Sequence, residues 1–377
     1  GAEAKWRSLC AAKAGAEVSE IEQKGIEPDL KLEPEAEMWS PVESATGLGM
    51  PVGFYAIMDS ALRYKQGLTP DQHRDQMAAI YSRFSEVAAA NADAWSDQAL
   101  SPAQIRDESP GNRMLAFPYA KLHNSQWNVD QGAGLIFCSA GLAMQLGIDR
   151  SRWVFPRAFA EANEMSVVTS RGDLGGNPGF RLAGQAVARA AGVDLNKVEL
   201  RELYSCFPYA VRVQLEEFGL AEGDDLTVTG GMTFGGGPLN NFVFQAVVKM
   251  SGLLREQPGE LGLVTTVSAM LTKQGCALWS TEPNPGGWVF EDVTEAVKEI
   301  SDIREVVADY TGEAVVAGYT VLYQGTDPWR AVAVFDLPKG QRTVAYSEEP
   351  EIIEPMLQKE CCGESFTLQG GQFTSSD

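Results

Sequence analysis

Three stretches of this sequence carry residue types that do covalent or proton chemistry. The first is Tyr204-Ser205-Cys206-Phe207-Pro208, where a strand pattern ends and a helix pattern starts. A thiol beside a helix N-terminus is lowered in pKa and made reactive, or it is a small thiol buried under the helix. Tyr204 ends its strand as a proton donor or acceptor, or as a half-buried tyrosine with a satisfied hydroxyl. The second stretch is TGGMTFGGGPLNN (229–241), with five glycines in nine positions. Glycine allows positive φ and close backbone approach, and Pro238 suits a first helical turn. The loop therefore reads as an anion- or carbonyl-binding turn or as a packing device. It lacks the G-K-[ST] of a phosphate loop and a supported G-x-G-x-x-G, so a nucleotide reading fails. The third stretch is His123-Asn124-Ser125-Gln126-Trp127, a polar cluster holding one of only two histidines.

The elements that must position these stretches are legible in part. A helix pattern runs from Phe54 and stops at Gly67. Thr69, Pro70 and Gln72 then form a capping-box start for a second helix, whose apolar face carries Met77, Ile80, Tyr81 and Phe84 with His73 at its edge. His73-Arg74-Asp75 lies inside that helix, without the loops of a kinase. Residues 96–125 read as loop, and GAGLIFCSAGLAMQLG as an alternating or buried stretch. Strand and helix patterns alternate from residue 151, the strands including DDLTVTGGM and ELGLVTTVSAML, which predicts an α/β layered fold. After WSTEPNPGGW the runs are short and β-type, which predicts a small β domain from about residue 283, preceded by the helix VTEAVKEIS, with a loose tail GGQFTSSD.

The 377 residues are 44% hydrophobic and carry a net charge of −21. That acidity disfavours nucleic acid and anionic membranes. No apolar run is long enough to span a bilayer, and a cytoplasmic location is expected. The chain begins at Gly1 rather than Met, so a processed, cut or incomplete start is expected. Cys10, Cys138, Cys206, Cys276, Cys361 and Cys362 form no C-x-x-C pair and read as reduced thiols. With two histidines and no zinc spacing, no metal site is expected.

The order of these junctions resembles the thiolase superfamily, close to the acetyl-CoA acetyltransferases and the sterol-carrier-protein-X type. NSQWNVDQGAGLIFCSAGLAMQLGI is similar to the last strand and helix of a thiolase N-terminal half. VELRELYSCFPYAVRVQLEEFGL resembles the strand–turn–helix that holds Asn-Glu-Ala-Phe or His-Asp-Cys-Phe, and TGGMTFGGGPLNN the turn that carries Gly-His-Pro. FSEVAAANADAW resembles the loop domain over coenzyme A. The resemblance implies a layered α-β-α-β-α fold whose N-terminal half (1–150) is incomplete, a C-terminal half (151–282) and a small β-rich, OB-like extension (283–377).

The resemblance also implies functional positions. Tyr204 falls at the Asn of Asn-Glu-Ala-Phe, Gly237 at the catalytic histidine, and Gly236 and Gly237 at oxyanion-binding amides. Cys206 is a reserve thiol, and Met58, Asn124, Ser125 and Asn240 are candidate coenzyme A contacts. Neither histidine aligns with the catalytic one; from its own polar cluster His123 is a candidate catalytic histidine or, as is commoner for a loop histidine, a structural one. The early nucleophilic cysteine has no counterpart, because GAEAKW resembles a turn that follows it. Cys276 lies near the second cysteine position without its Cys-x-Gly motif. A Claisen condensation needs an acyl-carrying thiolate, a base and an oxyanion hole. Expected functions are therefore an acyl-CoA acyltransferase relative in lipid metabolism, a carbon–carbon lyase using Tyr204, or a non-catalytic acyl-CoA binder. A CoA thioester is the expected ligand, with no permanent cofactor. A homodimer or a partner chain is expected to complete the N-terminal sheet.

Overall fold

The computed structural model describes residues 10–11, 13–15, 29–30 and 34–375. The GAEAKW turn and most of the acidic stretch 20–37 lie outside the described residues. Long helices are α1 (Pro51–Lys65), α2 (Pro70–Ala89), α3 (Pro178–Ala191), α4 (Pro208–Phe218) and α5 (Phe242–Glu256), followed by the shorter α6 (Thr294–Ile300) and α7 (Pro350–Met356). The Thr69 hydroxyl accepts from Gln72 N–H and the Gln72 side chain caps Thr69, so α2 starts where its sequence says it must. His73 is fully buried rather than at the edge of the apolar face.

The strands are β1 (Met114–Ala116), β2 (Tyr119–Ala120), β3 (Phe155–Asn163), β4 (Leu200–Glu202), β5 (Leu261–Ser268), β6 (Lys273–Ser280), β7 (Val289–Asp292), β8 (Gly312–Gln324), β9 (Asp327–Asp336), β10 (Arg342–Ser347), β11 (Ser365–Gln369) and β12 (Gln372–Ser375). Five of them form one sheet in the order β4-β5-β6-β3-β7. Its residues alternate between two cores, as the strand period requires. Leu263, Cys276, Leu278, Ala158 and Ala160 belong to the main core with α1, α3 and α4. Val264, Trp279 and the partly buried Phe159 pack with Ala246, Val247 and Met250 of α5 instead. Helices thus lie on both faces of this sheet.

The remaining strands include a closed unit. β8, β9 and β10 run as an antiparallel meander, β10 pairs parallel with β12, and β11 pairs with both β12 and β8. That is a five-stranded barrel of OB-type order, with α7 between its third and fourth strands. Tyr319, Ala333, Phe335, Phe366 and Phe373 fill it together with Ile353 and Met356 of α7. Val332, Val334 and Val344, on alternate positions, belong to the main core that α1 shares. The Arg63 guanidinium on α1 adds a two-pronged hydrogen bond to Glu360 at 2.6 and 3.1 Å.

Several local expectations differ from this arrangement. Residues 96–125 are not all loop: they hold a helical turn at Pro102–Arg106 and the β1–β2 hairpin, which joins β8. DDLTVTGGM is not a strand, because a buried carboxylate takes up its amides. The tail forms strand β12 rather than lying loose. Just past residue 283, β7 pairs with β3 of the first sheet, and α6 packs on α3 and β3. GAGLIFCSAGLAMQLG is not buried: Ile136 and Phe137 are exposed and only the turn Ala140–Gln145 is helical.

Candidate functional site

Glu202 ends β4 inside the protein. Its carboxylate accepts from Val228 N–H, Thr229 N–H and the Thr227 hydroxyl at 2.8–3.0 Å. The Thr227 oxygen in turn accepts from Gly230 N–H and Gly231 N–H, both at 2.9 Å. These bonds set the entry to the glycine turn. Burial pushes the Glu202 carboxyl up to about 7 against the donors that hold it down.

The glycines of the turn serve close approach. At Gly230 (φ +99°) a Cβ would lie 2.7 Å from the Ala88 backbone of α2, and at Gly231 (φ +69°) 2.6 Å from the Phe84 ring. A Cβ at Gly237 would meet Ser125 Oγ at 2.3 Å, and one at Gly236 the Gln131 amide at 2.0 Å. The space that a side chain would need there is already filled.

The three candidate stretches converge. Ser125 N–H donates to the Cys206 carbonyl and Gln126 N–H to the Met232 carbonyl, both at 2.9 Å. Gly237 N–H donates to the Gln126 carbonyl at 2.9 Å, and Met232 N–H donates to Ser205 Oγ at 2.9 Å. The Asn124 carbonyl accepts from the Thr233 hydroxyl at 2.9 Å. The Gly237 amide, an expected oxyanion donor, is therefore committed, while the Gly236 carbonyl accepts from Gln245 Nε2 at 2.8 Å.

Cys206 follows the opposite course to the one its helix-end position suggests. Burial pushes its thiol up to about 12, with only a partial offset from its hydrogen bond with Tyr55. Desolvation outweighs the helix end, and no cation is among the groups that shift it. Tyr204 is clamped through its backbone: its N–H donates to Thr265 Oγ1 at 2.8 Å and its carbonyl accepts from Gln214 at 3.1 Å. Its ring meets Phe242 edge-on at 5.9 Å, and burial raises its phenol well above the usual range.

His123 is buried beside this cluster. Ala120 N–H donates to its Nδ1 at 3.2 Å, and its ring lies 5.6 Å from that of Tyr81. Burial lowers its pKa to about 3, so it is neutral near pH 7. Asn124 Nδ2 donates to the Ala120 carbonyl at 2.6 Å. Met58 is buried on α1, where its sulfur accepts from Arg171 at 3.3 Å. Asn240 is exposed in the short helical turn after Pro238. Cys276 sits in β6, where burial pushes its thiol well above the usual range and keeps it protonated.

The sequence reading missed several participants. Tyr55 packs its ring 4.4 Å from Phe207 and donates to the Ala269 carbonyl at 3.0 Å. Gln131 donates to the Gly235 and Asp93 carbonyls at 2.8 and 2.9 Å. Beside the turn, Gln131, Asn91, Asp93, Thr229 and Lys249 line a cleft of about 420 Å³. Lys249 supplies its cation, held on Asn91 Oδ1 at 3.2 Å. Under the site, Asp59 is enclosed by Arg212, His73 Nε2 at 3.2 Å and the Tyr119 hydroxyl at 2.5 Å. Burial opposes its charge, yet Arg212 and His73 hold its carboxyl far below the usual range. No sequence spacing announces a network drawn from four separate elements. Among the described residues no cluster of His, Cys, Asp and Glu could hold a metal, and no helix is long and apolar enough to cross a membrane.

The sequence matches no protein-family model and no curated protein. Solved structures do match. A monomeric SCP2-thiolase-like protein type 1 from Mycobacterium smegmatis superposes with a TM-score of 0.81 at 24% identity, over 90% of this chain and 76% of that one. An Ltp2-ChsH2(DUF35) aldolase gives a TM-score of 0.46 at 17% identity, over 63% of this chain and 66% of that one. The Acat5 thiolase from Ascaris suum, solved with coenzyme A, gives 0.43 at 16%, over 60% and 59%. The first of these shows that this chain has a thiolase-like fold.

Proposed function

We propose that this chain is a thiolase-fold relative of the acyl-CoA acyltransferases that binds a CoA thioester without carrying an acyl group on a cysteine of its own. The convergence of Tyr204–Cys206, Asn124–Gln126 and the glycine turn into one hydrogen-bonded unit supports this reading. Asn124, Ser125 and Asn240 are the proposed contacts, with the Gly236 region facing the thioester. The same reading places the protein in cytoplasmic acyl-CoA metabolism and has a second copy or a partner chain complete its open side. The withheld chemistry follows from the site: Cys206 stays protonated, His123 stays neutral and buried, and Gly237 has neither a side chain nor a free amide. Calorimetry with acetyl-CoA and acetoacetyl-CoA, run beside a thiolysis assay, tests it. Saturable binding without CoA-dependent cleavage is expected, and absence of binding to either thioester overturns it.

A second reading makes the chain a carbon–carbon lyase on a CoA thioester. It rests on the Tyr204 phenol at the strand end, near Tyr55 and Cys206. In a retro-aldol step a base takes the β-hydroxyl proton, the α–β carbon bond breaks, and the enolate is protonated at the α-carbon. A Tyr204→Phe variant that keeps full lyase activity would exclude Tyr204 from that step.

A further inference from the structure

A second cavity, of about 210 Å³, shares no lining residue with the cleft beside the glycine turn. It lies where the start of α3, the start of β6 and the segment after α6 meet. Three polar groups of its wall lack a partner among the described residues. The first is the Gly179 amide. Asn177 caps α3: its side chain accepts from Phe180 N–H at 2.8 Å and its carbonyl from Arg181 N–H at 3.2 Å. Pro178 has no N–H, so Gly179 N–H is left over at the positive end of the helix. The second is Gln274, which is 5% exposed. Its Nε2 donates to the Leu271 carbonyl, while its Oε1 is buried and accepts nothing. A Cβ on Gly179 would stand 2.2 Å from that oxygen, so the free amide and the free acceptor are neighbours. The third is Arg171. Its Nη atoms donate to Met58 Sδ at 3.3 Å and to the Ser166 and Met270 carbonyls at 3.0 and 2.7 Å. Its Nε is buried without a partner, and Glu43 and Glu164 act on it only from farther away.

Buried donors and acceptors need partners, and a buried cation needs one most. The wall thus offers two N–H donors, one of them cationic, and one acceptor. The rim also carries both signs, with Glu164, Asp173 and Asp302 against Arg181. Apolar lining joins the two: Leu271 and Val297 are buried and Ile300 is half exposed. We propose that this cavity binds a small α-amino acid with an apolar side chain, of the size of valine. Its carboxylate accepts from Arg171 Nε and Gly179 N–H. Its ammonium donates to Gln274 Oε1, with Glu164 and Asp302 adding to the negative field. Its side chain lies on Leu271, Val297 and Ile300. A phosphate would meet three carboxylates here, and a metal cation would meet Arg171 and a helix N-terminus, so a ligand of one sign fits half the wall. The size agrees, since a cavity of about 150 Å³ holds a benzene-sized guest.

The site needs no CoA thioester, so its test is independent of the proposed function. Calorimetry of the full chain with L-valine tests it, beside three probes that each lack one feature: isovalerate (no ammonium), L-valine amide (no carboxylate) and inorganic phosphate. Saturable L-valine heat is expected, with each other probe weaker by roughly tenfold or more, the scale of one lost charge-assisted hydrogen bond. Gln274→Leu removes the free acceptor, while the Leu271 carbonyl keeps Asn177 Nδ2 at 3.4 Å. Gly179→Ala puts a methyl where the Gln274 oxygen stands. Both variants should keep the circular dichroism of the wild type and bind L-valine roughly tenfold more weakly. A folded wild-type chain with no saturable L-valine heat overturns the proposal. So does isovalerate, L-valine amide or phosphate binding as tightly as L-valine, or unchanged L-valine affinity in Gln274→Leu.

Discussion

The Gly237 amide donates to the Gln126 carbonyl at 2.9 Å, and a Cβ on Gly237 would stand 2.3 Å from Ser125 Oγ. The position that resembles a thiolase histidine is therefore closed as well as vacant of an acid–base group. Gly237→His should not confer thiolysis. It should lower stability by about 1–3 kcal/mol, the usual cost of overpacking. Thermal unfolding and an acetoacetyl-CoA thiolysis assay on the variant check both parts.

Glu202→Gln keeps the shape but weakens an acceptor that holds the Val228 and Thr229 amides. A loss of about 1–3 kcal/mol is expected for imperfectly satisfied buried donors. The pH dependence has a defined sign. The folded-state pKa is raised to about 7 from 4.5, so the native state binds the extra proton. This contribution is full below pH 4.5 and is lost as pH rises through about 7. The gap in melting temperature between wild type and Glu202→Gln should therefore narrow from pH 4.5 to pH 7.5.

His73 and His123 act in the opposite direction. Burial lowers them to about 4 and about 3 from 6.5, so the unfolded chain takes up protons first on acidification. Stability should fall as pH drops below 6.5, down to about 4 for His73 and about 3 for His123. Two such groups outweigh the single Glu202 in the shared window. Denaturant midpoints at pH 6.5 and pH 4.5 should show the net loss, larger still in Glu202→Gln.

Arg212→Leu leaves the Asp59 carboxylate buried without its guanidinium. Removing one partner of a buried pair costs about 3–5 kcal/mol, and denaturant unfolding should show a loss of that size. A loss below about 1 kcal/mol, the range of surface pairs, would mean that His73 and Tyr119 satisfy Asp59 by themselves.

The parts of this fold that local rules govern were readable. Thr69, Pro70 and Gln72 announced α2 through one cap, and the apolar runs announced β5, β8 and β9. β6, KQGCALWS, has too few β-branched residues to announce itself and is a strand because β3 and β5 flank it. β12 exists because β11 and β10 pair with it. At the site, the three chemical stretches were readable, but their electrostatics were not. The helix end near Cys206 predicted a reactive thiol, whereas burial under elements distant in sequence raises it, with the hydrogen bond to Tyr55 only a partial offset. The stretch 132–147 reads as alternating or buried in sequence, and no local pattern reveals that Ile136 and Phe137 stand exposed.

The central claim is thioester binding without cysteine-borne acyl transfer. Calorimetric titration of the full chain with acetoacetyl-CoA, with the titrated mixture then assayed for CoA-dependent cleavage, tests it most directly. The account predicts a saturable isotherm and an uncleaved thioester. No binding heat under conditions where the chain is folded, or cleavage that disappears in Cys206→Ser, would contradict it.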